Sequence, residues 1–237
     1  MTCTVATGQK QRTRHVTPSQ GSQRVIWKAV GLRFALQSAI LAMILAGSGR
    51  AQDANTATVT PQQVQAKMAY CEVCHGPSAR GFSGYYPIPR LAGQQTAYLE
   101  NQLRGFIEKK RANPIMANIA HVLSPAMLTA LITNFHNLNP KPVGGGPREF
   151  LAAGKTIYEQ GIPDAKVPPC ATCHGPDARG NEQFPRLAGQ LYPYVVGQLT
   201  NWSKERGEDL SNIMEPIAHG LTKQQIKAVA AYVSFLE

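Results

Sequence analysis

Two short strings in this 237-residue chain carry a defined chemistry: CEVCH at 71–75 and CATCH at 170–174. On a helical turn the two cysteines of Cys-x-x-Cys, at i and i+3, share a face, and the histidine follows four residues after the first of them. Thiols so placed reach neighbouring vinyl groups on one porphyrin edge, while the imidazole projects toward the ring centre and can bind iron. The spacing therefore points to covalently attached haem c: Cys71, Cys74, Cys170 and Cys173 are the attachment candidates and His75 and His174 the iron ligands. Other readings of such pairs fit less well. A structural zinc site would need further ligands near each pair, yet the pairs lie nearly a domain apart. A thioredoxin-like redox pair wants a βαβ setting. Two local disulfides would leave both histidines unexplained.

A haem iron takes a second axial ligand, and one candidate class recurs in register. Met116 and Met214 lie 41 and 40 residues after His75 and His174, each preceded by an isoleucine. His121 and His219, five residues after each methionine, are the rivals, and a bis-histidine iron would have the lower potential. Thioether ligation is an established c-type pattern, and both histidines follow an Ile-Ala pair where a helix is expected to begin, so methionine is the preferred reading. Met68 and Met127 have no counterpart and read as packing residues. His15 and His136, equally unmatched, read as surface residues.

The elements that must position these groups come in two copies. HGPSARG at 75–81 matches HGPDARG at 174–180, and PRLAGQ occurs at both 89–94 and 185–190. QLRGF from Gln102 matches QLTNW from Gln198, and IMANIAHVL from Ile115 matches IMEPIAHGL from Ile213. The offsets are 99, 96, 96 and 98 residues, which is the mark of a duplicated domain. Between the copies lies NLNPKPVGGGP, whose three prolines and three glycines oppose helix and strand alike.

Within each copy the apolar spacing is helical. Pro61 opens a segment with Val64 and Met68, paralleled by Arg148–Gln160 with Phe150, Leu151 and Ile157. Tyr98, Leu99, Gln102, Leu103, Phe106 and Ile107 mark a second helix, echoed by Tyr194, Val195, Gln198, Leu199 and Trp202. A third follows Ser124-Pro125 with Leu128, Leu131, Ile132 and Phe135 inward, and its counterpart follows Thr222 with Ile226, Val229, Ala230, Val233 and Leu236. No segment reads as a convincing strand. The expected architecture is all-α: domains at 59–138 and 148–237, a linker at 139–147, and a leader at 1–51.

The net charge of +10 is mostly a property of that leader. Residues 1–51 hold seven Lys and Arg and no acid, leaving 17 bases and 14 acids in the rest. Four ionised haem propionates would bring that remainder to about −1, which argues against nucleic-acid binding. The basic stretch leads into LRFALQSAILAMILAG at 32–47 and small residues up to Ala51, the order of a secretory signal, with an uncleaved amphipathic or membrane-anchoring helix as the alternative. The stretch before Val25 is longer than a signal needs, so the true start could lie further on, and Cys3 would be discarded with it. The remainder is expected to be exported to the periplasm, soluble or peripherally associated with the membrane.

Together these strings resemble the dihaem class I cytochromes c of the c4 type, over Val59 to Glu237. The resemblance rests on CEVCHG and CATCHG, the paired PRLAGQ segments, the QL helices and Met-x-x-Ile-Ala-x-x-Leu at 116–123 and 214–221. It implies tandem class I cytochrome c domains with thioethers from Cys71, Cys74, Cys170 and Cys173, and axial pairs His75/Met116 and His174/Met214. It further implies that the carbonyls of Pro89 and Pro185 accept a hydrogen bond from the proximal imidazoles. Arg90, Arg186, Tyr98 and Tyr194 become candidate partners of the haem propionates, with salt-bridged surface roles as the alternative. An iron closed on both sides changes valence but does not readily bind substrate, so the implied role is an electron carrier rather than an enzyme. The expected partners are redox proteins such as a quinol–cytochrome c reductase and a terminal oxidase. A relay subunit of a periplasmic dehydrogenase is the second reading, and a dihaem peroxidase a distant third. The first copy departs from the second in having SGYYPI before PRLAGQ and no GKTIY segment, which leaves open whether the two haems share one exposure and one potential.

Overall fold

Prolines and capping side chains decide where several of the described helices start. In the computed structural model, which describes residues 58–206 and 213–237, Thr60 and Gln63 form a reciprocal capping box ahead of α1 (Pro61–His75). Thr222 and Gln225 do the same for α10 (Lys223–Phe235). Asn113 accepts the Met116 N–H to open α3 (Pro114–His121), and Ser124 accepts the Met127 N–H to open α4 (Pro125–Asn137). Such caps are worth about 1 kcal/mol each, and proline at the first helical position has no amide hydrogen left unpaired. Between α1 and α3 runs α2 (Thr96–Ile107). The second half follows with α5 (Leu151–Gln160), α6 (Ala171–His174), α7 (Tyr192–Thr200), α8 (Trp202–Glu205) and α9 (Met214–His219) before α10.

Each half packs its own apolar cluster. In the first, Val64 and Met68 of α1 meet Leu99 of α2 and Leu128, Leu131, Ile132 and Phe135 of α4. In the second, Ile157 and Tyr158 of α5 meet Val195 of α7 and Val229, Ala230 and Val233 of α10. Apart from Tyr158, which spacing did not mark, these are the inward positions that helical spacing marked, and Met68 and Met127 are packing residues of the first cluster, as expected. Among the described residues the only strand-like pairing is four isolated bridges. Among them, too, no single helix is long and apolar enough to cross a membrane.

Three details differ from the periodicity reading. The helix expected to run from Tyr194 to Trp202 stops at Thr200 and restarts at Trp202, because Asn201 leaves helical geometry. The Ile-Met segments enter helices earlier than the Ile-Ala pairs suggest: Met116 lies in the first turn of α3 and Met214 opens α9. Consequently His121 and His219 are the last residues of those helices, not near the first. Asn113-Pro114 was the cap signal that spacing alone overlooked. The expected leader, Cys3 and His15 lie outside the described residues.

Leu131 is 2% exposed at the centre of the first cluster, whereas Val122 is 74% exposed. Leu131→Ala should therefore cost the holoprotein about 3 kcal/mol in urea unfolding, against less than about 0.5 kcal/mol for Val122→Ala.

Candidate haem sites

The two histidines are the best-held ionisable groups of the motifs. His75 is buried, and its Nδ1 lies 2.8 Å from the carbonyl oxygen of Pro89; the corresponding distance from His174 to Pro185 is 2.9 Å. A carbonyl can only accept, so Nδ1 carries the proton in both rings and the Nε2 lone pair is free. Burial lowers both imidazole pKa values, against the opposing pull of the bonds to Pro89 and Pro185. Both rings are thus neutral at pH 7, the state a metal ligand requires.

The elements bearing the motifs differ. In the first half CEVCH is the C-terminal turn of the long α1. In the second, Pro168 and Pro169 oppose helix upstream, and the motif occupies only α6 with Cys170 as its helical N-cap. Both then turn at a glycine of positive φ, Gly76 at 77° and Gly175 at 81°. The turns close through Gly81 N–H to His75 O (2.7 Å) and Gly180 N–H to His174 O (2.9 Å). Burial pushes the Cys71 thiol up, partly offset by Lys67, and pushes Cys170 up to about 11. These are neutral thiols near neutral pH, and none of the four is in a disulfide. Among the described residues no three His, Cys, Asp or Glu side chains converge as a metal cage.

The candidate sixth ligands separate by burial. Met116 and Met214 are half-buried, whereas His121 and His219 are exposed, and the His219 Nε2 lies 2.9 Å from Ser203 Oγ. His136 is exposed, as expected, with Nδ1 2.9 Å from the Gln94 carbonyl.

Arg90 and Arg186 are not the surface groups that one reading allowed; they are 3% and 7% exposed. Each donates Nε to the carbonyl two residues on, Ala92 or Ala188, and Arg90 also reaches the Pro140 carbonyl. Burial, and then the neighbouring Arg186 guanidinium, brings Arg90 down to about 10, so it remains cationic at pH 7. Spacing gave no hint of a second lattice, in which Arg111 and Arg206 meet with neutral acceptors. Arg111 donates to Gln102 (2.7 Å), the Tyr194 hydroxyl (2.8 Å) and Gln198 (3.2 Å). Arg206 donates to Gln102 (2.8 Å) and Gln198 (2.6 Å). The aromatic faces of Phe106 and Trp202 lie against the two guanidiniums.

These surroundings suit a group bearing carboxylates. Among the described residues Arg90 Nη1, Arg186 Nη2, Arg206 Nε and Trp202 Nε1 are buried donors with no protein partner, which haem propionates would satisfy. Two neutral imidazoles with free Nε2, two unpaired thiols beside each, and buried cationic donors form a donor set that fits haem.

The cytochrome c family profile matches residues 151–237. Over 209 residues the chain is 38% identical to a cytochrome c-552 of Acidithiobacillus ferridurans, covering 86% of this chain and 87% of that one. It is 37% identical over 172 residues to a thiosulfate dehydrogenase electron acceptor of Thiomonas intermedia, covering 70% and 78%. The solved structure of Acidithiobacillus ferrooxidans cytochrome c4 superposes with a TM-score of 0.62 at 37% identity, covering 71% of this chain and 99% of that one. The chain belongs to the dihaem cytochromes c of the c4 type. As a c4-type cytochrome it has the two-domain class I fold, binds haem c covalently, transfers electrons and works with redox protein partners.

Proposed function

We propose that each half holds its haem through the ligands that its motif and its Ile-Met segment supply, and that the protein is an exported carrier of single electrons. Cys71 and Cys74 form the thioethers and His75 and Met116 the axial pair of one site. Cys170, Cys173, His174 and Met214 serve the other. The observation that carries this reading is the pair of buried, Nδ1-protonated imidazoles whose Nε2 lone pairs are free. Half-burial of both methionines, against exposure of His121 and His219, favours thioether over imidazole as the sixth ligand. Bound haem supplies a one-electron Fe(III)/Fe(II) couple, and a soft thioether in a buried setting favours Fe(II) and raises the potential. The Pro89 and Pro185 carbonyls fix ring orientation and imidazole basicity. The Arg and Trp donors left unpartnered at the buried sites hold the propionates. Two separate apolar clusters, one in each half, support domain boundaries at 59–138 and 148–237.

The leader composition supports a periplasmic location, and a quinol–cytochrome c reductase and a terminal oxidase are the partners this reading assigns. A second reading is a specific one: acceptance of electrons from a thiosulfate-oxidising enzyme, favoured by the relative named for that role.

Met116→Ala and Met214→Ala should each lower the potential of one haem and open it to carbon monoxide, followed by absorption spectroscopy during redox titration. The same response to His121→Ala or His219→Ala would transfer the ligand role to histidine. Isolation of native protein from the periplasmic fraction, free of other subunits, is the expected outcome for the carrier. Stable co-purification with a thiosulfate-oxidising subunit would favour the second reading.

A further inference from the structure

Each proximal-histidine acceptor is shared with the opposite half of the molecule. The peptide group joining Pro89 to Arg90 has two polar ends. Its oxygen accepts His75 Nδ1–H at 2.8 Å, and its N–H donates to Gln190 Oε1, also at 2.8 Å. The peptide joining Pro185 to Arg186 repeats this: its oxygen accepts from His174 at 2.9 Å, and its N–H donates to Gln94 Oε1 at 2.7 Å. Each glutamine completes a two-point clasp by donating Nε2 to the carbonyl of the same arginine, at 3.0 Å in both cases.

The clasps are built, not incidental. Gln94 and Gln190 are 5% and 6% exposed, and each Oε1 also accepts the N–H of the next residue, Gln95 or Leu191. Gly93 and Gly189, at φ 72° and 69°, make the turns from which the glutamines extend. A Cβ on Gly93 would sit 3.2 Å from the Leu138 carbonyl oxygen and 3.3 Å from Arg186 Nη1, tight against the very residue that Gln94 grips. The last two residues of PRLAGQ thus serve the other copy, while its first residue serves its own histidine.

Hydrogen bonds in series through one peptide strengthen one another. A peptide whose N–H is engaged by a buried amide oxygen has a more negative carbonyl oxygen. It is a better acceptor for the imidazole N–H, and a ring donating more strongly from Nδ1 is a stronger ligand at Nε2, which favours Fe(III). We infer that Gln190 and Gln94 are positioning residues exchanged between the halves, each setting the ligand strength of the other half's proximal histidine through a single peptide group. This rests on His75 and His174 being the iron ligands.

The test is a redox titration of the full-length holoprotein, followed by NMR so that the haems are scored separately. Gln190→Met keeps the volume and removes the acceptor. It should raise the potential of the haem on His75 by about threefold in the Fe(II)/Fe(III) ratio, or about 28 mV at 59 mV per tenfold, and leave the haem on His174 nearly unmoved. Gln94→Met should do the reverse. Gln190→Glu keeps an acceptor for the Arg90 N–H and should hold the first potential at or below the wild-type value. A merely structural role would weaken stability in both variants without this crossed pattern. With wild-type irons shown to be imidazole-ligated, an unmoved first haem in Gln190→Met, or a shift confined to the second, overturns this inference alone; irons lacking imidazole would overturn the ligand assignment beneath it. Should Gln190→Met fail to mature, amide exchange in the wild-type holoprotein decides. Slow exchange of the Arg90 and Arg186 N–H supports the clasps, and exchange as fast as that of Tyr85, on an exposed loop, refutes them.

Discussion

The imidazoles proposed here as iron ligands have to be neutral, held at one nitrogen and bare at the other. In this c4-type cytochrome the bonds from His75 to Pro89 and from His174 to Pro185 impose that state, and the rest of each half is arranged around them. Burial contributes as well. It lowers the imidazole pKa and excludes water from a bond that would be weaker in a higher dielectric. The helices α1 and α6 deliver the histidines, and the glycine turns after them fold the chain back so that PRLAGQ can present the carbonyl.

Duplication supplies a second constraint. Because both copies carry the same strings, whatever one PRLAGQ segment offers to the other is returned, and the result is a reciprocal pair of clasps between Gln94 and Arg186 and between Gln190 and Arg90. The same logic governs Gln102 and Gln198, which bridge Arg111 and Arg206. The buried guanidiniums meet amides more often than carboxylates. Neutral acceptors leave the positive charge in place and available to the acidic groups of a cofactor, at the expense of burying like charges close together. Losing one such amide would strand several buried donors at once, each worth about 1–3 kcal/mol. An interface of this kind resists piecemeal change, which ties the two halves into one electron-transfer unit.

Much of this is legible in the amino-acid sequence. The Cys-x-x-Cys-His spacing named the cofactor, the doubled strings named the architecture, and the inward positions of α4 and α10 emerged from 3.6-residue periodicity because an apolar stripe is the main thing such a helix must satisfy. Arg90 and Arg186 stand out through the resemblance as candidate propionate partners, yet their protein partners are out of reach of the sequence: a hydrogen bond to a residue 50 or 100 positions away leaves no periodic trace. Gln94 and Gln190 stand inside the most obvious repeated string, but nothing in one copy shows that its glutamine points into the other. The starts of the short α3 and α9 leave no apolar stripe because these helices are one or two turns long, although Asn113-Pro114 announces the first of them.

The most direct test of this account is the protonation of the proximal rings in the reduced holoprotein. With histidine labelled in nitrogen-15, NMR should show two slowly exchanging Nδ1–H protons, each coupled through its hydrogen bond to the carbonyl of Pro89 or Pro185. Rings bare at Nδ1, or Nδ1 protons exchanging freely with water, would contradict it.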